Sequence, residues 1–390
     1  MIGDMLKSLV QFTKHILFGK CPDVILYYPQ HFNRSVDGTN PYFAPLVQLC
    51  KDSNLQYLEM EEPDGGTFQP RDPQCMKADV FFWFVIVSRK LLTICNKKKV
   101  QVDVDKQIAK LIDLLTFHKL RAKCYITISN SMIDVLAEIN PKGIAYDYQH
   151  GIIYNGHEGY FVEKDVVTLS HILVNRRILL WGDMYKKCFI TAQAPFSVKK
   201  QIKVVGYPIT TDSIEQKERK TIVICLQFRS EGSEELHANM HDMLCECLDV
   251  LKKYNYKVLL KHHPRFNDVY DLSDIVQKYP FVEYTDSQMK ELAEETFLQI
   301  TWNSTTIFEY ANFCIPSFLL TDERVDWGEA TFYRQYYYPL YHNENLETVM
   351  KRLAFKESYK QDCATVKDWY DSAYAPFDKN LMLKILKGDG

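Results

Sequence analysis

The sequence lacks several features that would assign it to a specialised class of protein. Its 390 residues include 47 Lys and Arg against 50 Asp and Glu, so neither sign of charge dominates. A balanced charge gives no general field for nucleic acid, and we predict no nucleic-acid partner. The densest apolar run, residues 80–87, ends at Arg89 and Lys90. This length is too short to span a bilayer and favours a buried strand or a core helix.

Paired cysteine spacing is also missing. The chain has 11 cysteines, and the one close pair, Cys245 and Cys247, is spaced too tightly for a zinc loop or a redox motif. We therefore predict reduced thiols and a cytoplasmic location.

The first twenty residues carry apolar side chains at helical spacing, among them Leu6, Leu9 and Phe12, with lysines between them. They lack the long apolar centre and the small-residue cleavage site of a signal peptide. We expect a helix packed on the domain. The alternative is an interfacial helix that makes a peripheral contact with the inner face of the cytoplasmic membrane.

The length of the chain favours two domains. Apolar strand-like runs alternate with helical patterns, which predicts an α/β fold with parallel sheets. The first series of predicted strands comprises 23–28, 55–60, 124–129 and 143–147, with a helix at 104–120; the second comprises 202–205, 221–227, 256–261, 282–285, 297–301 and 317–321. We predict an N-terminal domain at 1–198, a nucleotide-binding domain at 199–342, and C-terminal helices at 343–390 that cross back to brace the first domain.

Two motifs in the second domain predict a phosphate site. Lys261-His262-His263-Pro264 ends an apolar run, which places His263 at the carboxyl end of a strand, where open α/β sheets bind ligands. Asn303-Ser304-Thr305-Thr306 follows another predicted strand and precedes a helical pattern. Hydroxyls and backbone N–H groups at such a position can bind phosphate, and simple helix capping is the alternative.

Three further residues of this domain are candidates for donor binding. Glu309 lies on the predicted helix, where it can accept hydrogen bonds from sugar hydroxyls or a base amino group; an ordinary exposed glutamate is the alternative. Gln227 ends the predicted strand at 221–227 and Arg229 follows it, and the guanidinium of Arg229 suits phosphate.

The first domain offers a candidate proton acceptor. Tyr146-Asp147-Tyr148-Gln149-His150-Gly151 places His150 at the exit of a predicted strand, and histidine accepts a proton readily near neutral pH. Asp147 is either the base or the group that orients His150. Loop residues His157, Arg34, Asn40 and Glu62 are candidates for the acceptor side, although turn chemistry explains the loops equally well.

These motifs resemble those of metal-independent GT-B transferases that use cytidine-activated donors, in teichoic-acid, capsule and lipopolysaccharide synthesis. Gln149-His150-Gly151 resembles their His-Gly motif, whose histidine is assigned as the base in the polyol-phosphate branch. His263-Pro264 resembles their donor-phosphate motif, and residues 303–312 resemble their paired-hydroxyl segment with its acidic residue and Tyr-Ala-Asn. The segments around Trp181-Gly182-Asp183 and Val205-Gly206-Tyr207-Pro208 also match.

The resemblance implies two facing Rossmann-like domains, a nucleotide-sugar donor, a glycan or glycolipid acceptor, and no cofactor. Two departures, Gln149 where the polyol branch has tryptophan and Asn303 where aspartate is frequent, favour transfer of a sugar. The alternatives are glycerol- or ribitol-phosphate transfer, nucleotide-sugar 2-epimerisation and a non-catalytic subunit of a polysaccharide-synthesis complex.

We expect an inverting reaction with a single displacement. A retaining reaction with Asp147 as nucleophile is the alternative. Asp103-Val104-Asp105 resembles a metal-binding Asp-x-Asp motif, but it opens a helical pattern, where acidic residues need no metal.

Overall fold

The computed structural model describes the chain apart from residues 1, 34, 36–37, 66–69, 96–100, 129–131, 155–156, 158, 164–165, 168–175, 192–200, 210–213, 215–217, 230–231, 264–269, 326–335, 343 and 390. The chain forms two compact units, Met1–Thr210 with Tyr374–Gly390, and Thr211–Ala373. Each unit is built on its own parallel sheet with helices, so the predicted α/β class is confirmed.

The first unit contains a seven-stranded sheet in the order β3-β2-β1-β4-β5-β8-β9, with every neighbouring pair parallel. The strands are β1 (Val24–Pro29), β2 (Tyr57–Glu62), β3 (Met76–Lys77), β4 (Cys124–Thr127), β5 (Ile144–Tyr148), β8 (Arg176–Leu180) and β9 (Ile202–Val204); β6 (Phe161–Glu163) and β7 (Val166–Val167) form a separate antiparallel pair. Every residue of β1 and β4 is buried. Strands covered on both faces read as continuous apolar runs, which explains why these two were predicted.

Two strands of this sheet differ from the prediction. The assignment of 202–205 to the second domain is wrong, because β9 pairs with β8 at the edge of the first sheet. Strand β8 was not predicted at all, because Arg176 and Arg177 open it and interrupt the apolar pattern.

Arg176 is fully buried, and its charge is matched by side chains of α5 (Ile133–Ile139). Its Nε donates to Oδ1 of Asp134 at 3.0 Å, and its Nη1 donates to Oε1 of Glu138 at 3.3 Å. Its Nη2 also donates to the backbone carbonyl of Asp134. A buried charge is tolerated when it is paired and hydrogen-bonded in this way, and the pairing holds β8 against the helix layer.

The remaining helices before the second unit are α1 (Ile2–Phe18), α2 (Ala44–Asp52), α3 (Asp79–Cys95), α4 (Gln101–Leu115) and α6 (Asp183–Thr191). Residues 80–87 lie in α3, so this run is a helix and not a strand. Helix α1 packs on the domain as expected: Oγ of Ser8 donates to the carbonyl of Lys77 at 2.6 Å, and the ring of Phe12 stacks on Phe81.

The second unit contains a five-stranded parallel sheet in the order β12-β11-β10-β13-β14. Its strands are β10 (Thr221–Cys225), β11 (Lys257–Lys261), β12 (Val282–Thr285), β13 (Thr296–Thr301) and β14 (Ser317–Leu319). Its helices are α7 (Glu234–Leu251), α8 (Ser273–Lys278), α9 (Met289–Ala293), α10 (Thr306–Asn312), α11 (Leu346–Leu353) and α12 (Lys356–Ala373). All five strands were predicted, with ends that differ by a few residues.

After α12 the chain returns to the first unit. The backbone N–H of Tyr207 donates to the carbonyl of Ala375 at 2.8 Å, and Asp378 donates to the carbonyl of Val205 at 2.9 Å. Gly206 has a φ of 83°, and a Cβ at this position would lie 2.1 Å from the carbonyl oxygen of Pro376. Only glycine permits so close an approach. The last helix, α13 (Lys379–Leu386), contacts α2.

Candidate active site

In the first unit, the candidate base follows the carboxyl end of β5. His150 lies two residues beyond this strand, and the fully buried Gln149 fixes the turn between them. Oε1 of Gln149 accepts a hydrogen bond from the backbone N–H of Trp181 at 2.8 Å, while Nε2 donates to the carbonyl of Gly151 at 2.8 Å. One side chain thus connects the His150-Gly151 turn to the end of β8.

The surroundings of His150 favour a neutral imidazole. The residue is half-buried, and the edge of Phe32 meets its ring at a centroid distance of 5.2 Å. Burial lowers the pKa of His150 below its ordinary value, and the nearby Asp147 carboxylate opposes this effect without cancelling it. A neutral imidazole can accept a proton, which is the property required of a general base.

Asp147 and His157 lie near enough to His150 to influence its pKa. Asp147 is only 1% exposed on β5, and together with burial its charge raises the pKa of Tyr160. His157 lowers the pKa of His150 by charge repulsion, and its own Nδ1 accepts from the backbone N–H of Gly159 at 3.1 Å. The buried position of Asp147 suits orientation of a neighbour better than contact with a substrate.

We expect Gln149→Leu to destabilise the first unit by about 1–3 kcal/mol, because it leaves a buried N–H and a carbonyl without partners. Urea unfolding measures this loss. Gln48→Leu is the matched control: Gln48 is exposed on α2 and bonds only to Asp52 among the contacts seen, so its replacement should change stability by less than about 0.5 kcal/mol. Equal losses in the two variants would contradict the bracing role of Gln149.

An aromatic cluster beside this turn was not recognised in the sequence. The ring of Trp181 stacks on Tyr42 at 5.8 Å and on Tyr374 at 5.5 Å, and its edge contact with Tyr207 is at 4.8 Å. Tyr42 also meets Phe32, the neighbour of the candidate base, at 6.1 Å. The rings come from four separate segments, so no local pattern predicts them. Trp181 and Tyr207 lie in the two segments that resemble the transferase motifs, and this resemblance is the signal in the sequence that points to the cluster.

Two of the acceptor-side candidates, Asn40 and Glu62, are buried inside the domain. Asn40 is 1% exposed, and its Oδ1 accepts from the backbone N–H of Tyr42 at 2.9 Å, which is turn chemistry. Glu62 is 8% exposed beside Tyr27, whose pKa it helps to raise. Arg34 lies outside the described residues. An acceptor-binding role for these three residues stays a prediction.

In the second unit, the structure brings the predicted donor residues to one edge of the sheet. Strand β10 lies between β11 and β13, and all three run parallel, so their carboxyl ends are neighbours. Lys261 and Thr301, the last residues of β11 and β13, each pair with Cys225 at the end of β10. His263, Gln227 and Asn303 therefore follow three adjacent strand ends.

Gln227 braces this edge. It is 4% exposed, and its Oε1 accepts hydrogen bonds from Oγ1 of Thr301, at 3.1 Å, and from the backbone N–H of Asn303. Its amide oxygen is thus committed to the turn that presents Asn303 and Ser304. Gln227 is a candidate for donor binding by sequence, and these hydrogen bonds give its amide oxygen a positioning role in the turn.

The hydroxyl groups after β13 are partly engaged. Oγ of Ser304 accepts from the backbone N–H of Thr306 at 3.3 Å, which caps the start of α10. Oγ1 of Thr306 accepts from Nε2 of the buried Gln299. A hydroxyl that accepts one hydrogen bond can still donate another, so both can serve an anion. Thr305 is exposed, and its side chain makes no capping bond to α10.

The residues of the motif Lys261-His262-His263-Pro264, at the end of β11, have different surroundings. Nζ of Lys261 donates to the carbonyl of Ser287 at 2.6 Å, and the ring of His262 stacks on Tyr284 at 5.0 Å. His263 is half-buried. Pro264 lies outside the described residues, and Arg229 is exposed beyond β10.

Glu309 lies in the first turn of α10 and keeps solvent-exposed surface. Desolvation by the surrounding protein nevertheless raises the pKa of its carboxyl, and Lys261 opposes this shift. The influence of Lys261 places Glu309 near the end of β11, as expected for a residue facing the same edge.

The Asp-x-Asp sequence does not form a pair of free carboxylates. Asp105 is 1% exposed in α4, where Nε and Nη2 of Arg89 donate to its two oxygens at 2.7 and 2.9 Å. Asp103 is exposed on the same helix. Both residues therefore lie near the start of a helix, which is the position that the sequence pattern indicates.

No protein-family model matches the sequence, and no curated protein matches it significantly. Solved structures do match it. UDP-GlcNAc 2-epimerase from Neisseria meningitidis, bound to UDP-GlcNAc, aligns over 93% of this chain and 99% of its own with a TM-score of 0.54 at 12% identity. Together with the two parallel sheets, this match decides the architecture. The fold is of the GT-B type.

Two further matches have lower scores. The wall teichoic acid polymerase TagF, as its H444N variant with CDPG, aligns over 99% of this chain and 98% of its own, with a TM-score of 0.47 at 13% identity. UDP-GlcNAc 2-epimerase from Methanocaldococcus jannaschii aligns over 91% and 96%, with a TM-score of 0.43 at 9% identity. At such identities structural likeness concerns the fold, and the activity has to be argued from the site.

Proposed function

We propose that this protein is a metal-independent glycosyltransferase of capsule or lipopolysaccharide synthesis, which moves a sugar from a CMP- or CDP-linked donor to a glycan or glycolipid acceptor. The observation that carries the proposal is His150, an imidazole kept neutral by burial at the exit of a central strand of a GT-B fold. The cytidine nucleotide is supported by the resemblance of the motifs around His150, His263 and Ser304.

The second unit is proposed to hold the donor phosphate. His263 and the hydroxyls of Ser304, Thr305 and Thr306 follow two strands that flank β10, and together they supply several hydrogen-bond donors. As the glycosidic bond to phosphate breaks, negative charge grows on the leaving nucleotide. Donors already in place stabilise this charge. Glu309 is proposed to accept hydrogen bonds from the nucleotide.

His150 is proposed to take the proton of the acceptor hydroxyl. The acceptor oxygen then forms a bond to the anomeric carbon, the bond from that carbon to the donor phosphate breaks, and the nucleotide leaves with the bonding electrons. This single displacement inverts the anomeric centre. The near-complete burial of Asp147 supports an orienting role for its carboxylate over that of a covalent nucleophile in a retaining reaction.

The metal-independent character is supported by the contacts of the Asp-x-Asp sequence. Asp105 is bound through both oxygens by Arg89 inside the first unit, so its carboxylate already has a cationic partner.

The rival reactions differ in their products. A CDP-polyol phosphotransferase releases CMP and leaves a new phosphodiester, whereas a 2-epimerase converts UDP-GlcNAc without any acceptor. A non-catalytic subunit consumes no donor. Analysis of the products formed from CMP-linked sugars, CDP-glycerol and UDP-GlcNAc therefore separates all four possibilities. If UDP-GlcNAc alone yields an epimer, the protein is an epimerase and our proposal is wrong.

We expect CMP or CDP to raise the melting temperature of the protein more than UDP or GDP does. A ligand present at 100 times its Kd stabilises the native state by about 2.7 kcal/mol, which a thermal-shift screen detects easily. His263→Ala should remove the shift. His262→Ala is the matched control, since the ring of His262 stacks on Tyr284, and it should retain the shift. Preference for UDP or GDP would exclude the cytidine donor.

A further inference from the structure

Helix α1 has two apolar faces. One face packs on the domain through Phe12. The other carries Leu6, Leu9, Val10 and Leu17, which are 51–66% exposed. These four residues follow one another at helical spacing on the side opposite to the buried Ser8. Core packing accounts for the first face and leaves the second unexplained.

Helix α3 repeats this arrangement. Its residues Phe81 and Val85 are buried, whereas Trp83, Val87, Leu91 and Ile94 are 42–62% exposed. Successive exposed residues are four, four and three positions apart, so they form one stripe along the helix.

Helix α4 adds a third group, because Leu111, Leu114 and Leu115 are 45–66% exposed. Helix α3 contacts both α1 and α4, so the three helices are neighbours in one layer. We name the exposed apolar side chains of α1, α3 and α4 the outer apolar face. Exposed apolar side chains gathered on neighbouring helices in this way are typical of an interaction surface.

The exposed charges around the outer apolar face are positive with one exception, Asp103. Among the described side chains of the three helices, the exposed charged residues are Lys7, Lys14, Lys90, Lys106, Lys110 and Asp103. The other acidic residues are paired within the unit: Asp4 with Lys77, Asp79 with Arg71, Asp105 with Arg89, and Asp113 with Arg121. The face is thus cationic, although the whole chain has a net charge of −3.

We propose that the outer apolar face docks on a bilayer that contains anionic phospholipids. Apolar side chains at this surface enter the headgroup boundary, and the lysines pair with lipid phosphates. In the described part of the chain, no helix has the length and apolar character needed to cross a membrane. A second copy of the chain is a poorer occupant, because a two-fold contact would bring the same lysines against each other.

Vesicle flotation with the full chain tests the proposal. The protein should float with vesicles of phosphatidylcholine mixed with phosphatidylglycerol, and binding should fall at high salt. Lys7→Ala with Lys14→Ala should weaken this binding about 25-fold, at a contribution of about fivefold for each lysine. Val10→Glu with Val87→Glu should abolish it.

The control is Phe355→Glu, which changes an apolar side chain that is 70% exposed in the second unit and should leave binding unchanged. Thermal melting verifies that each variant is folded, and light scattering gives its oligomeric state. Absence of the wild-type protein from the floated mixed vesicles would overturn the proposal. So would equal loss in the Phe355→Glu variant, or a dimer that the Val10 and Val87 substitutions dissociate without any effect on flotation.

Discussion

Replacement of His150 by alanine is expected to lower the transfer rate by about 10²–10⁴-fold, the contribution of a positioned general base. The nucleotide-induced thermal shift should persist, because the proposed phosphate contacts lie on other strands, after β11 and β13. His118→Gln is the control, as His118 is exposed and pairs with Asp113 far from β5 in sequence; it should transfer at the wild-type rate. Full activity in the His150 variant would remove this residue from the mechanism.

The pH profile gives an independent measurement on His150. Burial lowers the pKa of this imidazole from its ordinary value of about 6.5, so the neutral base is the main form at neutral pH. As the pH falls through the lowered pKa, the ring gains a proton and can no longer accept one from the acceptor. We therefore expect kcat/KM to be constant near pH 7 and to decline only below the ordinary histidine range. A decline centred above pH 7 would contradict the neutral imidazole.

Replacement of Arg176 by methionine is expected to destabilise the protein by about 3–5 kcal/mol, because it leaves two carboxylates without their cation in the interior. Asp134 and Glu138 both receive hydrogen bonds from this guanidinium, whose side chain has no exposed surface. Urea unfolding followed by circular dichroism measures the loss.

The adjacent residue provides a matched control for that substitution. Arg177 occupies the next position of β8, is half-buried, and lies 6.0 Å from the centre of the Tyr146 ring. Arg177→Met should therefore cost about 1 kcal/mol or less, the usual value of an exposed cation–π contact. A similar loss of stability in both variants would show that removal of either arginine from β8 has the same effect. This result would contradict the special role of the buried Arg176 network.

The same pair of arginines shows where sequence reasoning reaches its limit for the fold. Strands β1 and β10 were predicted because parallel strands buried on both faces are apolar along their length. Strand β8 has the same environment, but the partners that neutralise Arg176 lie about forty residues earlier, on α5. Strand β9 was recognised as a strand and assigned to the wrong sheet, because strand order depends on tertiary pairing and not on local pattern.

The candidate site likewise contains some features that the sequence predicts and others that it does not. Polar residues placed directly after apolar runs, such as His150 and His263, were identified because carboxyl ends of parallel strands collect at one edge. The sequence did not predict the contacts of three buried glutamines in the candidate site. Gln149 reaches Trp181, Gln227 reaches Asn303, and Gln299 reaches Thr306. Their partners lie on other segments or on the far side of a turn, so residue type alone gives no indication of them.

The bridge between Tyr207 and Pro376 has a consequence for the modular history of the chain. In topological terms the second unit is an insertion, entered after residue 210 and left before residue 374. The chain enters the second unit shortly after Tyr207 and leaves it shortly before Pro376. These two residues belong to segments of the first unit that run side by side. Such an arrangement lets a whole domain be gained, lost or exchanged at one position, because a short turn would close the gap in the host chain.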